Sequence, residues 1–446
     1  MGKLFGTDGI RGVANRDLTP ELTYRIGRIA ASLLGKEEEL PLFVIGRDTR
    51  VSGTMLEGAL MAGITSAGAT VRLLGVASTP AVAYVTRSMK ATAGVVISAS
   101  HNPTEYNGLK FFDRRGMKLP DAVEEEIERI YFAQVDALPR PEGQSVGQAY
   151  PDCEALDSYL SYLKGMAPSL RGLRLVIDCG HGAVCRLADA LFSSLGAETV
   201  MLHDTPDGSR INVACGSTDT TDLQQEVVRS GASLGLAFDG DADRLIAVDE
   251  KGNLVDGDAV MAICAIDMVG SGSLNHNTLV ATVMSNGGLD MLGEEVGFKI
   301  IRTAVGDRYV LEKMLEGGYN LGGEQSGHII FTDHSTTGDG LLTALQLLKS
   351  VQVKGRPLSE LAARLKRLPQ VLYNQKVARK EGWDQNQAIQ RAVQEVKTAL
   401  GRFGRVLVRP SGTEPLIRIM LEGPLPEEKL HAYAHSLAEI IAREQS

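Results

Sequence analysis

Short apolar runs alternate along this chain with amphipathic stretches of helical spacing, and the alternation recurs on a fixed plan. From Leu42 to Gly75, from Leu173 to His203 and from Thr278 to Arg308, an apolar strand meets a polar or glycine-bearing turn. A helix with apolar residues at three-to-four spacing follows, then a glycine and a second strand. Each stretch predicts one βαβ unit in a sheet covered on both faces. The run "LTPELTYRIGRIAASLLG" predicts a helix with Thr19 as N-cap, Pro20 in the first turn and Gly35 at the end. Beyond Arg367–Gln375 the plan changes to a strand, a helix over Asn386–Leu400, the strands "GRVLVRP" and "PLIRIMLEG", and a last helix. Polar breaks at Ala137–Gln148, Asp249–Asp258 and Arg367–Gln375 then divide the chain into 1–150, 151–252, 253–368 and 369–446. The predicted class is α/β, with three similar α/β domains built on mixed sheets and a smaller C-terminal α+β domain.

Composition narrows the function. A chain of 446 residues is too long for one core, and 43% hydrophobic with 23% charged residues is ordinary for a chain folded throughout. A net charge of -9 argues against a nucleic-acid partner and for a small ligand. No apolar stretch approaches the roughly 18 residues of a membrane span, and the start lacks a secretory pattern. Gly6 stands where myristoylation needs Ser or Thr. The expectation is a cytoplasmic chain without a membrane partner. The five cysteines are scattered with no CxxC spacing, and predict buried free thiols in a reducing compartment.

Candidate chemistry sits on five polar turns, most of them at the ends of predicted strands, where ligands bind in open α/β sheets. In "GVVISASHNP", Val95–Ile97 form a strand and Pro103 stops regular pairing, so Ser98, Ser100, His101 and Asn102 are expected on an exposed turn. Such a turn can present a nucleophile or merely satisfy its own backbone. In "AFDGDADRLIAV", Asp239, Asp241 and Asp243 repel one another unless a cation sits among them, and oxygen ligands favour Mg2+ over zinc. An EF-hand fails, because Arg244 replaces the glycine at loop position six and strands are expected to flank the loop. A phosphatase with Asp239 as nucleophile, or a solvated acidic turn, remains open here. "GGEQSGHII" offers Glu324, Ser326 and His328 to sugar hydroxyls. "VRPSGTEP" offers Arg409, Ser411, Gly412 and Thr413 as a phosphate cradle. Arg11 lies in a glycine-rich N-terminal segment that could fold over the first domain's turn. A hydroxyl, a cation site, a polyol clamp and a phosphate cradle together suit phosphoryl transfer on a phosphosugar.

"SASHNP", "DGDADR", "GEQSGH" and "RPSGTEP", in this order, resemble the α-D-phosphohexomutases from "FGTDGIRG" to the last helix. The resemblance implies four domains around a central cleft. It implies Ser100 as the phosphoryl carrier, with Asp239, Asp241, Asp243 and a phosphoserine oxygen as Mg2+ ligands. Arg11, His101, Lys110 and Arg244 would surround the transferring phosphate, with Lys110 or His101 moving the proton. Lys110 would need a depressed pKa for that role, which nearby cations would promote. Gln325 in the sugar loop, with "TAVGDRYV" and "INVACGSTD", resembles the branch acting on glucosamine phosphate, implying glucosamine 1,6-bisphosphate as intermediate. His181 stands where relatives often have Asn. A homodimer is left open, as are a glucose or mannose phosphate substrate, a Mg2+-dependent phosphatase and a non-catalytic sugar-phosphate sensor.

Overall fold

The computed structural model describes residues 4–6, 8–133, 136–411 and 414–446. The chain divides into two compact units, Met1–Val283 with Ile301–Ala362 and Met284–Ile300 with Ala363–Ser446.

The first unit carries the first two expected α/β repeats whole; the third is shared, its helix Gly288–Val296 belonging to the second unit. Its largest sheet runs in the order Phe5–Gly6, Gly9–Val13, Tyr106–Asp113, Ala93–Ile97, Leu42–Arg47, Thr70–Val76, Ala149–Pro151. Leu42–Arg47 is parallel to both neighbours, whereas Tyr106–Asp113 is antiparallel to Ala93–Ile97, so the sheet is mixed. Ala93–Ile97 is buried at every position, as its apolar β-rich sequence demands, and it delivers the Ser98–Asn102 turn at its carboxyl end. The helix Pro20–Leu34 begins where the sequence places it. Thr19 accepts a hydrogen bond from the Leu22 amide, and the Gly35 amide donates to the Ala31 carbonyl. It packs on Gly53–Ser66 at Gly63, where a Cβ would stand 2.1 Å from the Tyr24 carbonyl oxygen. Only a glycine permits that approach.

A second sheet runs Leu254–Val255, Leu245–Asp249, Leu234–Phe238, Arg174–Asp178, Glu198–Leu202. Leu234–Phe238 is parallel to Arg174–Asp178 and antiparallel to Leu245–Asp249, so residues 239–244 close a hairpin and strands flank the aspartate loop. In the third sheet Leu321–Gly323 lies parallel to Thr278–Thr282 and antiparallel to Ile329–Phe331, which puts residues 324–328 on its hairpin.

The second unit has an antiparallel sheet ordered Gln370–Lys376, Leu416–Glu422, Arg405–Pro410, covered by the helices Gln387–Leu400 and Glu427–Glu444. Ile417, Ile419 and Leu421 alternate along the central strand and meet Ile389, Val396, Leu430 and Leu437. Each such side chain contributes on the order of 1.5–3 kcal/mol through burial. At the strand's end the buried Glu422 accepts from the Gly287 amide at 2.8 Å, Asn286 Nδ2 at 2.9 Å and Arg405 Nε at 2.8 Å. These bonds tie the segment Met284–Ile300 into this unit.

All five cysteines are free. Cys179, Cys215 and Cys264 are buried and Cys185 is half-buried, but Cys153 is exposed because it follows the edge strand Ala149–Pro151, which corrects the expectation of buried thiols at that position. Among the described residues, no helix is long and apolar enough to cross a membrane.

Candidate active site

The serines of the Ser98–Asn102 turn are buried, while His101 and Asn102 stay half-buried, which corrects the expectation of a wholly exposed turn. Ser98 is fully buried and Ser100 is 1% exposed. The cause lies in the Leu42–Arg47 strand's own end, where the buried pair Asp48 and Arg50 meets the turn. Arg50 donates to the carbonyl oxygens of Ser100, Asn102, Pro103 and Tyr106 at 2.5 to 2.9 Å, while Asp48 accepts from Ser98 Oγ at 2.6 Å. Ser98 Oγ in turn accepts from the Ser100 amide at 2.9 Å. One guanidinium thus gathers the carbonyls of a turn that cannot form a ladder. Ser100 sits at φ 51°, a left-handed conformation uncommon outside glycine, and such strain is held where the surroundings over-determine it.

This fixed turn lies against the aspartate loop. Ser100 Oγ donates to Asp239 Oδ2 at 2.6 Å. The loop approaches so closely at Gly240 that a Cβ would fall 2.6 Å from the Ser100 carbonyl oxygen. One carboxylate oxygen from each of Asp239, Asp241 and Asp243 lies within 4.8 Å of the others, and all three residues are buried. Lys110 Nζ donates to Asp241 Oδ2 at 2.8 Å and Asp243 Oδ2 at 3.1 Å, and Thr79 Oγ1 donates to Asp241 at 2.5 Å. Even so, Asp241 Oδ1 and Asp243 Oδ1 are buried without a hydrogen-bond partner. Burial, then repulsion from Asp243 and Asp241, pushes the Asp239 carboxyl well above the ordinary carboxylate range. Burial acts on Asp243 too, but Lys110 and His328 hold it well below that range. The protein's own cations therefore leave part of the loop uncompensated, and a hard divalent cation fits that oxygen-only donor set.

Of the basic residues, Arg244 donates its amide to Asp239 Oδ1 at 3.2 Å and brings Nε to 3.8 Å from Asp243 Oδ1. Arg11 bonds Asn102 Oδ1 at 3.2 Å and pairs with Asp8. His101 Nδ1 lies 3.3 Å from Ser100 Oγ, and burial, with Arg244 and Arg11 nearby, pushes its pKa down to about 4. Its ring is neutral near pH 7. Lys110 behaves oppositely to the expectation of a depressed pKa. Burial alone would lower it, yet the carboxylates of Asp241, Asp243 and Asp8 outweigh burial and hold the ammonium well above the ordinary lysine value.

The sugar-loop residues separate. Glu324 and Ser326 are half-buried. Glu324 Oε1 accepts from the Gly306 amide at 3.0 Å, and Ser326 Oγ has no hydrogen-bond partner. His328 is buried beneath the hairpin rather than offered on it. Its Nε2 accepts from the Gly338 amide at 3.1 Å, which puts the ring proton on Nδ1, facing Asp243 Oδ1 at 3.6 Å. In the second unit Arg409 is exposed at the end of its strand, and Ser411 is buried with Oγ accepting from the Glu414 amide at 3.3 Å. Gly412 and Thr413 lie outside the described residues.

Sequence reasoning missed Asp8, Asp48, Arg50, Lys118 and Asp307. Lys118 bonds both Asp8 and Asp307, so a charged chain runs from Arg11 through Asp8 and Lys118 to Asp307, whose Oδ2 lies 3.5 Å from His328 Nε2. The only signal for Asp48 and Arg50 was their place in "GRDTR", a polar turn after an apolar strand like the others.

Four family models match the chain in series. They are the phosphoglucomutase/phosphomannomutase alpha/beta/alpha domains I, II and III at residues 2–137, 157–252 and 256–368, and the C-terminal domain at 372–440. A phosphoglucosamine mutase of Symbiobacterium thermophilum is 55% identical over 446 residues, all of both chains. One of Geobacillus kaustophilus is 53% identical, covering 100% of this chain and 99% of its own. Among solved structures, a phosphoglucomutase/phosphomannomutase family protein of Burkholderia thailandensis superposes with TM-score 0.80 at 25% identity, over 98% of this chain and 96% of its own. An N-acetylphosphoglucosamine mutase of Aspergillus fumigatus, solved with GlcNAc-6P and magnesium, shares the fold at TM-score 0.68 and 18% identity, over 99% and 96%. Matched in all four domains and more than half identical to such enzymes along its whole length, the chain belongs to the phosphoglucomutase/phosphomannomutase family and, within it, to the phosphoglucosamine mutases.

Proposed function

We propose that the enzyme interconverts glucosamine 6-phosphate and glucosamine 1-phosphate through a phosphorylated Ser100 and glucosamine 1,6-bisphosphate. The observation that carries this reading is Ser100 Oγ, fixed 2.6 Å from Asp239 on a buried three-carboxylate loop. Asp239, Asp241 and Asp243, with an oxygen of phosphoserine 100, would hold Mg2+. Bound there, the ion would neutralise charge on the transferring phosphoryl group.

In the forward direction the sugar O1 attacks phosphorus and the bond to Ser100 Oγ breaks. The hydroxyl proton passes to a base, and the electron pair of the broken bond stays on Ser100 Oγ. The 1,6-bisphosphate then turns over, Ser100 Oγ attacks the 6-phosphoryl group, the phosphorus–O6 bond breaks, O6 takes back the proton held by the base, and glucosamine 1-phosphate leaves. His101, neutral and beside Ser100 Oγ, suits the base. Lys110, held as an ammonium, suits charge neutralisation together with Arg11 and Arg244. Glu324, Ser326 and His328 would form the sugar site, with His328 acting from beneath. Arg409, Ser411, Gly412 and Thr413 would hold the phosphate that is not being transferred. The division into 1–150, 151–252, 253–368 and 369–446 around a cleft, the cytoplasmic location and supply of UDP-N-acetylglucosamine for cell-wall precursors belong to the same proposal.

A coupled assay on one preparation, offered glucosamine, glucose and mannose 6-phosphates, tests it. The expected result is the highest kcat/KM for the amino sugar with no net release of inorganic phosphate. Preference for glucose or mannose phosphate would move the assignment to a sister branch, and stoichiometric phosphate release would replace it with a phosphatase.

A further inference from the structure

A second strand end in the five-stranded sheet gathers donor atoms that the mutase reaction does not use. Asp178 closes the strand Arg174–Asp178, His203 follows Glu198–Leu202, and Cys215 precedes the helix Thr221–Ser230. A carboxylate oxygen, a ring nitrogen and a sulfur from these residues lie within 4.8 Å of one another. Asp178 and Cys215 are fully buried, and the His203 side chain is 22% exposed.

Part of this cluster has an ordinary structural explanation. Asp178 Oδ1 accepts from the Gly180 amide and Oδ2 from the Gly216 amide, each at 2.9 Å, so the carboxylate organises two turns. That role leaves a lone pair on each oxygen, and it explains neither the sulfur nor the imidazole beside them. His203 Nδ1 approaches Asp178 Oδ1 to 3.0 Å, an ion-pair contact that raises the imidazole pKa, without the alignment of a full hydrogen bond. Cys215 Sγ has a long contact, 3.8 Å, to the Arg210 carbonyl and a further one with the Asn212 backbone. His203 Nε2 lies 3.4 Å from Asp222 Oδ2, the arrangement in which a carboxylate orients a metal-binding imidazole through its other nitrogen.

We propose that Asp178, His203 and Cys215 form a second metal site, for a borderline-soft divalent ion of the Zn2+ class. Mixed oxygen, nitrogen and sulfur donors select such an ion, whereas the oxygen-only Asp239–Asp243 loop selects a hard one. His203 Nδ1 and Cys215 Sγ are ligands together with an Asp178 oxygen, three protein donors of the kind such an ion takes. Binding forms a sulfur–metal bond and releases the thiol proton to solvent, with no change of oxidation state.

The site would brace the floor of the catalytic turn. Asn212, three residues before Cys215, donates its amide to the Gly180 carbonyl at 3.0 Å and its Nδ2 to the Ser100 carbonyl at 2.8 Å. Tying Cys215 and His203 to Asp178 fixes both ends of the segment that carries this contact. The role is positional, since none of the three ligands touches Ser100.

Cobalt titration of the full chain, stripped of metal under reducing conditions, reads the site directly, because thiolate-bound Co2+ gives a near-ultraviolet charge-transfer band that carboxylate-bound Co2+ lacks. The wild type should show the band at one equivalent and lose it to added Zn2+. Asp241→Asn should keep it and Cys215→Ser should abolish it. His203→Gln should weaken cobalt binding by more than the roughly 10–100-fold typical of losing an outer-shell partner. If Cys215→Ser fails to fold, His203→Gln, at a partly exposed position, carries the same readout. Zn2+ should also raise the Tm of the wild type and not that of His203→Gln. Absence of the band in the reduced wild type, or a band that persists unchanged in Cys215→Ser or His203→Gln, overturns the proposal.

Discussion

The Ser100 turn and the Arg409–Ser411 turn both follow apolar strands, yet they are built in opposite ways. Around Ser100 almost nothing is left to solvent. Its carbonyl is held by Arg50 and Asn212, its amide by Ser98, and its hydroxyl by Asp239. Arg409 is exposed and, among the described residues, has neither a hydrogen bond nor an ion pair from its side chain. It stands directly across the strand pair from Arg418, and like charges so placed repel by a few tenths of a kcal/mol until an anion arrives. The difference matches two tasks. A bond-making centre gains from dipoles and charges fixed before the reaction, since no reorganisation is then needed at the transition state. On the proposed mechanism Arg409 would grip either end of the sugar and release it, a task suited to an open cation free to pair with an incoming anion.

Breaking the fixed centre should have the largest effect. Ser100→Ala is expected to cut turnover by at least about 10⁴-fold, the scale of losing a nucleophile, with substrate binding retained. Residual activity within about tenfold of wild type would remove Ser100 from the mechanism. Asp239→Asn should cost about 10²–10³-fold in kcat. Because it also relieves a buried, mutually repelling carboxylate, its metal-free Tm should hold or rise, and a sharp fall would make the loop purely structural.

Breaking the open turn should act on binding. Arg409→Ala is expected to raise KM for the sugar phosphate by about 10–100-fold, from a lost charged hydrogen bond of about 1.5–3 kcal/mol, and to increase escape of the bisphosphate. Phosphorylation of Ser100 should survive, and an unchanged KM with unchanged bisphosphate release would remove Arg409 from the cradle. Ser98→Ala sharpens the contrast between neighbours. It leaves the buried Asp48 without one donor and the Ser100 amide without its acceptor, so about 1–3 kcal/mol of stability should go while turnover stays within about 10–100-fold.

The smallest effect concerns Asp339, which caps the helix Gly340–Lys354 beside the aspartate loop and takes the Tyr159 hydroxyl at 2.9 Å. Burial pushes its pKa up to about 6, above the unfolded value, so its contribution to stability falls as pH rises from about 4 through 6. Asp339→Asn keeps the cap and loses the titration. Its Tm relative to wild type should rise by a few degrees between pH 4.5 and 7, and a difference independent of pH would contradict this.

What was legible in the sequence follows the same division. Repeating apolar periods marked the three α/β units, and Thr19, Pro20 and Gly35 marked a helix, because local chemistry decides such features. Alternate aspartates on a tight turn announced a cation site for the same reason. The partners that complete the site are single charged residues on distant segments. Lys118 meets Asp307 189 positions away, and Lys110 meets Asp241 131 positions away, with no local pattern to announce either pairing. Burial of the Ser100 turn was illegible because Arg50 satisfies two of its carbonyls and those of Pro103 and Tyr106 just after it, so a polar sequence could be sealed with its backbone paired. The same tertiary carboxylates reversed the pKa expected for Lys110.

The most direct test of the account is to incubate metal-loaded enzyme with glucosamine 1,6-bisphosphate carrying labelled phosphate and map the modified peptide by mass spectrometry. Label should appear on Ser100 alone and pass to either sugar monophosphate when unlabelled substrate is added. Label on Ser98, on an aspartate of the 239–243 loop, or nowhere on the protein while turnover continues would contradict it.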